Sequence, residues 1–194
     1  MAVEKAVFLD KDGTLINDVP YNVDTNLITL TDNSIEGLKT LREEGYKLII
    51  LSNQSGLALG KFDYNQLLLA QQKIVDLLSI RGIDISGFYY CPHHPRGVVE
   101  MYSKKCQCRK PAAGMFTHAA KDHDIDLSQS WMIGDILHDI EAGNSAGCRT
   151  VLINNGNETE WVVNERRVPD FIASDINNAA QYILEMSMYK HNIT

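Results

Sequence analysis

Two aspartates lie two residues apart in "DKDGT", directly after the short apolar run at residues 6–9. On an extended chain residues i and i+2 point to the same side, so Asp10 and Asp12 can face one site. Their repulsion must then be relieved by a cation or by a shared proton. Taken alone, the pair fits catalytic chemistry and an ordinary surface turn at Gly13 equally well.

Polar and basic residues follow two later segments. In "SNQSG", Ser52 and Asn53 offer a hydroxyl and an amide that suit a phosphate oxygen, although an ordinary polar turn has the same composition. In "CRKP", Arg109 and Lys110 precede a predicted helix, where cations work against the helix dipole. They are better explained as ligands of an anion at the helix N-terminus, with a solvated basic pair as the alternative.

Another carboxylate follows the predicted strand "SWMIGD". Asp135 comes at the strand end and Asp139 lies one helical turn later. Asp135 could cap the helix, or it could meet Asp10 and Asp12 at the carboxyl edge of a sheet. A carboxylate pair, a hydroxyl, a lysine and a further carboxylate at one edge are what phosphoryl transfer through an aspartate nucleophile requires.

Strands that alternate with helices must position these residues. Apolar runs predict strands at 6–9, 46–53, 86–91, 130–135, 149–153 and 170–174, and helical periodicity predicts helices at 33–45, 62–82, 111–124, 137–146 and 176–186. Asp63 is placed to cap the second helix, and Pro111 suits the first turn of the third. The alternation indicates an α/β fold, Rossmann-like, with a mostly parallel sheet and helices on both faces. Ligands of such sheets bind beyond the carboxyl ends of the strands.

Length and charge narrow the class of protein. A chain of 194 residues suggests one domain over 1–194, and a net charge of −7 argues against a nucleic-acid partner. No apolar run approaches the roughly 20 residues of a membrane span. The first residues lack the pattern of a signal peptide. We therefore expect a cytoplasmic monomer that acts on a small molecule, with no membrane partner.

The long irregular loop at 91–108 is rich in metal-ligand residue types. Its pattern is Cys91-x-His93, twelve residues, then Cys106-x-Cys108, with His94 as a competing ligand. Four thiolate and imidazole ligands suit a closed, tetrahedral, structural Zn²⁺ site. Clustered cysteines in a reducing compartment indicate metal more often than disulfide. The alternative is a set of buried free cysteines beside a solvated histidine.

Several motifs together resemble a known family. "FLDKDGT", "SNQSG", "RKP" and "MIGD" resemble the four motifs of the haloacid dehalogenase-like (HAD) phosphatases, and the resemblance covers nearly the whole chain. "YYCPHHP" and "CQCRKP" resemble the histidinol-phosphatase-like subgroup. The resemblance implies a phosphatase that depends on Mg²⁺, has a minimal cap and carries a zinc loop, with His93 rather than His94 as the ligand.

The same resemblance assigns roles in the reaction. It implies that Asp10 is the nucleophile and Asp12 the general acid/base. It also implies that Asp135 completes the Mg²⁺ site with Asp10 and the backbone carbonyl of Asp12. The phosphoryl and substrate ligands that follow from the motifs are Ser52, Asn53, Lys110, Arg109, Asn17 and Tyr21.

The implied substrate is a small phosphorylated sugar. A heptose 1,7-bisphosphate would lose its 7-phosphate through an aspartyl-phosphate, during the synthesis of nucleotide-activated heptose for bacterial surface polysaccharide. Histidinol phosphate or another small sugar phosphate is the alternative.

Overall fold

The computed structural model describes residues 3–191 as an α/β fold. Its strands are β1 Ala6–Leu9, β2 Lys47–Asn53, β3 Gly87–Cys91, β4 Trp131–Gly134, β5 Arg149–Ile153 and β6 Phe171–Ala173. Its α-helices are α1 Ser34–Glu43, α2 Tyr64–Ser79, α3 Gly114–His123, α4 Leu137–Ala146 and α5 Ile176–His191. All strand pairs are parallel, in the order β3-β2-β1-β4-β5-β6. This is the strand order of a Rossmann-like sheet, as predicted.

Helices cover both faces of the sheet. Successive residues of β1 alternate between two apolar clusters, with Val7 and Leu9 in one and Phe8 in the other. The first cluster contains residues of α1, α2 and α5, and the second contains residues of α3 and α4. Because both faces are buried, β1 and β2 read as continuous apolar runs, which is what made them recognisable in the sequence.

Local signals set several helix ends. Asp63 caps α2 by accepting the Gln66 N–H at 2.9 Å, and the Gln66 side chain accepts the Asp63 N–H at 2.9 Å. This capping box confirms the predicted role of Asp63. Gly147 follows α4 with φ of +88°, a conformation that glycine adopts without steric cost.

The predicted start of α3 at Pro111 is wrong. The helix begins at Gly114, and residues 109–112 form a turn in which the Ala112 N–H bonds to the Arg109 carbonyl at 2.8 Å. The Gly114 N–H bonds to the Gln107 carbonyl at 2.9 Å, an approach so close that a Cβ at Gly114 would overlap that carbonyl. Lys110 therefore lies four residues before the first residue of the helix, and Arg109 lies five residues before it. Tertiary contacts, rather than the helix N-terminus, set the position of both residues.

None of the helices within residues 3–191 is long and apolar enough to cross a membrane.

Candidate functional site

The predicted phosphoryl-transfer residues meet at the carboxyl edge of the sheet. Asp10 follows β1, Ser52 is the penultimate residue of β2 and Asp135 follows β4. Together with Asp12 and Lys110 they line a cavity of about 230 Å³. The parallel strands thus bring residues 125 positions apart in the chain to one site, as the sequence predicted from strand ends alone.

Lys110 is the buried cation of this site. Its Nζ bonds to Asp10 Oδ1, lies 2.7 Å from Asp139 Oδ1, and donates to the Leu51 carbonyl at 2.8 Å. Burial on its own lowers the pKa of Lys110, but Asp10 and Asp139 outweigh it and hold that pKa above its usual range. Lys110 is therefore an ammonium ion that partly balances the neighbouring carboxylates.

Asn53 positions the backbone of Lys110. Its Nδ2 donates to the Lys110 carbonyl and its Oδ1 accepts the Lys110 N–H, both at 3.0 Å. The sequence predicted a direct phosphate contact for Asn53. In the structure Asn53 lines the cavity, but both polar atoms of its amide bond to Lys110.

Asp12 lies beside the cavity with a different set of partners. Its Oδ1 is 2.6 Å from Lys11 Nζ, and its Oδ2 accepts from Gln54 Nε2 at 3.1 Å. Its side chain is 32% exposed, whereas Asp10 and Asp135 are buried. This arrangement suits proton transfer by the accessible carboxyl group of Asp12 and nucleophilic attack by the buried carboxyl group of Asp10.

Two donors fix the carboxylate of Asp135. Thr14 Oγ1 donates to its Oδ1 at 3.2 Å and Asn157 Nδ2 donates to its Oδ2 at 2.7 Å. Burial, followed by the nearby Asp139, raises the pKa of Asp135 to about 7, although both hydrogen bonds oppose this. Burial also raises the pKa of Asp10, and the surrounding carboxylates add to that effect while Lys110 opposes it. The protein's own cations therefore do not fully balance the acidic groups.

The carboxylate cluster fits a divalent metal ion. Ligand oxygens of Asp10, Asp135 and Asp139 all lie within 4.8 Å of one another. Carboxylate oxygens are the ligands that Mg²⁺ takes in proteins, and a cation there would oppose both the burial and the repulsion that raise these pKa values. The sequence predicted Asp10 and Asp135 for this group. It placed Asp139 one turn after Asp135 but gave it no role.

Sequence reasoning missed a segment after β5 that packs onto the site. Asn155 Nδ2 donates to the Gly13 carbonyl at 2.7 Å, and Glu158 Oε2 accepts the Leu137 N–H at 2.6 Å. Between them, Asn157 bonds to Asp135, and a Cβ at Gly13 would overlap both of these side chains. We call residues 155–158 the strap. Its signal was available, since "NNGNE" directly follows a strand at the same edge.

The residues predicted to recognise substrate do not line the cavity that holds Asp10 and Asp135, and two of them line neighbouring cavities instead. Asn17 lines a neighbouring cavity of about 360 Å³, and its Nδ2 donates to Thr29 Oγ1 at 2.9 Å. Tyr21 is half-exposed and lines another cavity, of about 280 Å³, that also reaches Asp12. The Arg109 guanidinium donates to the His93 carbonyl at 3.4 Å.

The loop residues predicted to bind zinc converge as four ligands. Cys91 Sγ lies 3.1 Å from Cys108 Sγ and 3.4 Å from Cys106 Sγ, and Cys108 Sγ lies 3.3 Å from Cys106 Sγ. His93 Nδ1 is 3.6 Å from Cys91 Sγ and 3.4 Å from Cys108 Sγ. These separations exceed an S–S bond of about 2.05 Å. They approach the edge of about 3.8 Å that four ligands at ~2.3 Å from a tetrahedral zinc would have.

The competing ligand His94 lies outside this group. Its Nδ1 accepts the Arg96 N–H at 3.2 Å, and the group of residues whose ligand atoms converge contains His93 instead. The cluster of three free thiols and one imidazole therefore has a donor set that fits structural zinc.

The cysteine loop docks onto the segment after β2. The Val98 and Val99 N–H groups donate to the Ala58 carbonyl at 2.7 and 3.0 Å, and the Gln54 N–H donates to the Cys91 carbonyl at 2.8 Å. Cys108 is covalently bonded to Arg109 and lies two positions before Lys110. The loop thus connects its ligand cluster directly to the cation of the carboxylate site.

Comparison with known proteins agrees with this chemistry. A family model described as HAD-hydrolase-like matches residues 107–179. The chain is similar to the D-glycero-beta-D-manno-heptose-1,7-bisphosphate 7-phosphatase of Pasteurella multocida, with 39% identity over 184 residues that cover 94% of this chain and 92% of that protein. It is 38% identical to the enzyme of the same name from Escherichia coli strain K12, over 82% of this chain and 88% of that protein.

A solved structure shares the fold. The D,D-heptose 1,7-bisphosphate phosphatase of B. bronchiseptica, complexed with magnesium and phosphate, aligns with a TM-score of 0.76 and 26% identity. The alignment covers 94% of this chain and 99% of that chain. The described α/β unit therefore has a structural counterpart that aligns over nearly its whole length.

Proposed function

The chain belongs to the D-glycero-beta-D-manno-heptose-1,7-bisphosphate 7-phosphatase family, and we propose that it removes the 7-phosphate of that sugar bisphosphate as a step toward nucleotide-activated heptose. The observation that carries the proposal is the cavity at the sheet edge, where Asp10, Asp12, Ser52, Lys110 and Asp135 meet. These residues supply a nucleophile, an acid/base, phosphoryl ligands and a metal ligand in one place.

Asp10 acts as the nucleophile in this proposal. Its Oδ1 bonds to Lys110, which leaves Oδ2 to attack phosphorus in line. A bond forms between Asp10 Oδ2 and phosphorus while the bond from phosphorus to the sugar oxygen breaks, which gives an aspartyl-phosphate. Lys110 keeps the carboxylate oriented and adds positive charge where the phosphoryl group must sit.

Asp12 transfers the proton in both half-reactions. It donates a proton to the sugar oxygen as that oxygen leaves, so the product departs as an alcohol rather than an alkoxide. In the second half Asp12 accepts a proton from the water that attacks phosphorus, and the bond to Asp10 breaks to release phosphate. Its 32% exposure gives it access to both the leaving group and water.

The metal and phosphate ligands complete the site. We assign Mg²⁺ to the carboxylates of Asp10 and Asp135 and the carbonyl of Asp12, with Asp139 alongside. When bound there, Mg²⁺ supplies the positive charge that lets the anionic nucleophile approach an anionic phosphate. Ser52 and Lys110 contact the oxygens of the transferring phosphoryl group, and Asn53 supports them by holding Lys110.

We further assign structural Zn²⁺ to Cys91, His93, Cys106 and Cys108. Four donors in a closed arrangement leave no open position, so the ion would hold the loop and not react. Arg109, Asn17 and Tyr21 would recognise the part of the substrate beyond the transferred phosphate. The cavities that Asn17 and Tyr21 line beside the carboxylate site support their part in this assignment, and the position of Arg109 next to Lys110 in the chain supports its own.

A phosphate-release assay with Mg²⁺ tests the proposed substrate. The panel contains both anomers of D-glycero-D-manno-heptose 1,7-bisphosphate, histidinol phosphate and fructose 1,6-bisphosphate. We expect the highest kcat/KM for the beta-heptose bisphosphate, with release of its 7-phosphate alone. A higher kcat/KM for histidinol phosphate would reject the substrate while retaining the chemistry.

The cytoplasmic location and the monomeric state stay predictions. Light scattering on the purified chain checks the second of these.

A further inference from the structure

We infer that Gln54 is a positioning residue that orients both the acid/base Asp12 and the phosphoryl ligand Ser52. This inference deepens the proposed phosphatase function and rests on it. The sequence analysis assigned Gln54 no role, although it directly follows Ser52 and Asn53, which both have one.

Gln54 is held firmly at its backbone. Its N–H donates to the Cys91 carbonyl at 2.8 Å, and its carbonyl accepts the Leu57 N–H at 3.3 Å. The residue is only 4% exposed. Its side chain therefore starts from a fixed point directly after β2, where it lines the cavity of about 280 Å³ that also reaches Asp12.

A single nitrogen of Gln54 contacts both functional side chains. Its Nε2 donates to Ser52 Oγ at 2.7 Å and to Asp12 Oδ2 at 3.1 Å. An amide NH₂ has two hydrogens, so these two bonds use its full donor capacity. The other oxygen of Asp12 accepts from Lys11 at 2.6 Å.

These bonds set the direction of each functional group. Because Ser52 Oγ accepts from Gln54, the hydroxyl hydrogen of Ser52 is free to be donated to a phosphoryl oxygen. Each carboxyl oxygen has two lone pairs, so Asp12 Oδ2 can accept from Gln54 and still hold the proton that it transfers. Asp12 is partly exposed, and without Gln54 its carboxyl group would be anchored through Lys11 on one oxygen alone.

The two effects can be separated by the leaving group of the substrate. A sugar alcohol needs a proton from Asp12 as it leaves, whereas nitrophenolate is a stable anion that needs little help. Both substrates present the same phosphoryl group to Ser52. Asp12 also activates the water that hydrolyses the aspartyl-phosphate formed from either substrate, so the comparison is made in kcat/KM, which reports the formation of that intermediate. Loss of Ser52 orientation should lower kcat/KM equally for both substrates, and loss of Asp12 orientation should lower it only for the sugar phosphate.

The experiment measures kcat and KM of the full chain with Mg²⁺ on beta-heptose 1,7-bisphosphate and on p-nitrophenyl phosphate. The test variant is Gln54→Leu, which keeps the size and removes the donor. Gln71→Leu, the same change on α2, is the matched control. Gln54→Glu is the second variant, since it keeps the shape but places an acceptor against Asp12 and Ser52.

We expect Gln54→Leu to lower kcat/KM on the sugar phosphate by about 100-fold, the low end of the 10²–10⁴-fold that acid–base catalysis contributes, and on the aryl phosphate by about fivefold. KM should change by less than about threefold, because the lost contacts act on the reaction of the bound substrate rather than on its binding. Gln54→Glu should show the same selective loss, and Gln71→Leu no loss. Retained turnover of the aryl phosphate also reports that the variant is folded.

Equal losses of kcat/KM on both substrates, or no loss on either, would overturn the inference. If the wild-type chain turns over another alkyl phosphate but not the heptose bisphosphate, the substrate proposal fails instead. The comparison with p-nitrophenyl phosphate is then made with that alkyl phosphate, and it decides the role of Gln54 by the same criterion.

Discussion

The described part of the chain holds two clusters of candidate metal ligands, and they differ in what keeps them in place. The carboxylate cluster takes hard oxygen donors from separate elements of the sheet edge and contains its own cation, Lys110. The cysteine cluster takes softer sulfur and nitrogen donors from the two ends of one loop, with contacts mainly among the donors themselves. Hard donors suit Mg²⁺ and soft donors suit Zn²⁺.

The two clusters should therefore differ in whether their shape depends on a bound metal ion. In the carboxylate cluster, Lys110, Thr14 and Asn157 hold the acidic side chains through ordinary protein contacts. In the cysteine cluster, three thiols within 3.1–3.4 Å of one another would have little to hold them together without an ion. We therefore expect Mg²⁺ to control activity and Zn²⁺ to control the structure of the loop.

Replacing the proposed nucleophile gives the largest expected effect on the carboxylate site. Asp10→Asn keeps the shape of the side chain but removes the attacking carboxylate, so turnover should fall by at least about 10⁴-fold. The measurement is phosphate release by the variant, with mass spectrometry to exclude deamidation back to aspartate. Zinc content should stay unchanged, and appreciable turnover by the intact variant would reject Asp10 as the nucleophile.

Removing the resident cation tests whether protein contacts alone support this site. Lys110→Met leaves Asp10 and Asp139 buried without their partner, which costs roughly 3–5 kcal/mol of unfolding free energy. Loss of a charge at the phosphoryl group should also lower kcat by about 10³-fold. Urea unfolding with and without Mg²⁺ measures the first effect, and we expect Mg²⁺ to restore part of the stability.

The exposed Lys121 on α3 provides the control for this change. Lys121→Met should leave both stability and turnover at wild-type values. If Lys110→Met were as stable as wild type without Mg²⁺, the idea that Lys110 maintains the carboxylate cluster would be wrong.

Disrupting the cysteine cluster should affect the reaction indirectly. Cys106→Ser removes one ligand, so zinc content should fall from about one per chain and the melting temperature should drop. Activity should fall by roughly 10–100-fold, because the loop leads through Cys108 into Arg109 and Lys110. Metal analysis, thermal unfolding and phosphate release measure the three effects.

The fourth cysteine supplies the control for that variant. Cys148 lies outside the cluster in the apolar core, and Cys148→Ala should keep zinc at the wild-type level even if it costs some stability. Affinity for Mg²⁺ should stay within about threefold in Cys106→Ser, since neither cluster shares a ligand with the other. A large loss of Mg²⁺ affinity would show that the two sites are not separable in this way.

Many residues of both sites could be predicted from the sequence, because the end of each strand can be recognised from the apolar run that precedes it. Apolar runs located all six strands, and a parallel sheet then required Asp10, Ser52 and Asp135 to share an edge. The cysteine cluster was equally accessible, since its ligands fall in two close pairs. Residue type and order along the chain were sufficient for these predictions.

The missed contacts depend on how loops pack, which the order of residues does not encode. Asn53 bonds to Lys110 across 57 positions, and Asn157 bonds to Asp135 across 22. A side-chain amide is also typical of a plain polar turn, so its type alone carries little information. The predicted start of α3 was wrong for the same reason, because the approach of Gly114 to the Gln107 carbonyl is a tertiary contact.

The smallest expected effect comes from the strap, and it refines the claim that protein contacts hold the carboxylate site. Asn157→Leu removes the donor to Asp135 Oδ2 while keeping the size of the side chain, and Thr14 still bonds to the other oxygen. Loss of such an outer contact should weaken Mg²⁺ binding by about tenfold, at the low end of the usual range. Calorimetry on the metal-free protein measures the affinity directly, and kcat at saturating Mg²⁺ should stay within about threefold.

Asn164 gives a matched control for the strap variant because it lies in the same connection. Its side chain accepts the Arg166 N–H at 2.9 Å and makes that contact away from the carboxylate cluster. Asn164→Leu should therefore leave Mg²⁺ affinity unchanged. Equal affinities for wild type and Asn157→Leu would mean that Thr14 and burial suffice to orient Asp135, and that the strap contributes to packing alone.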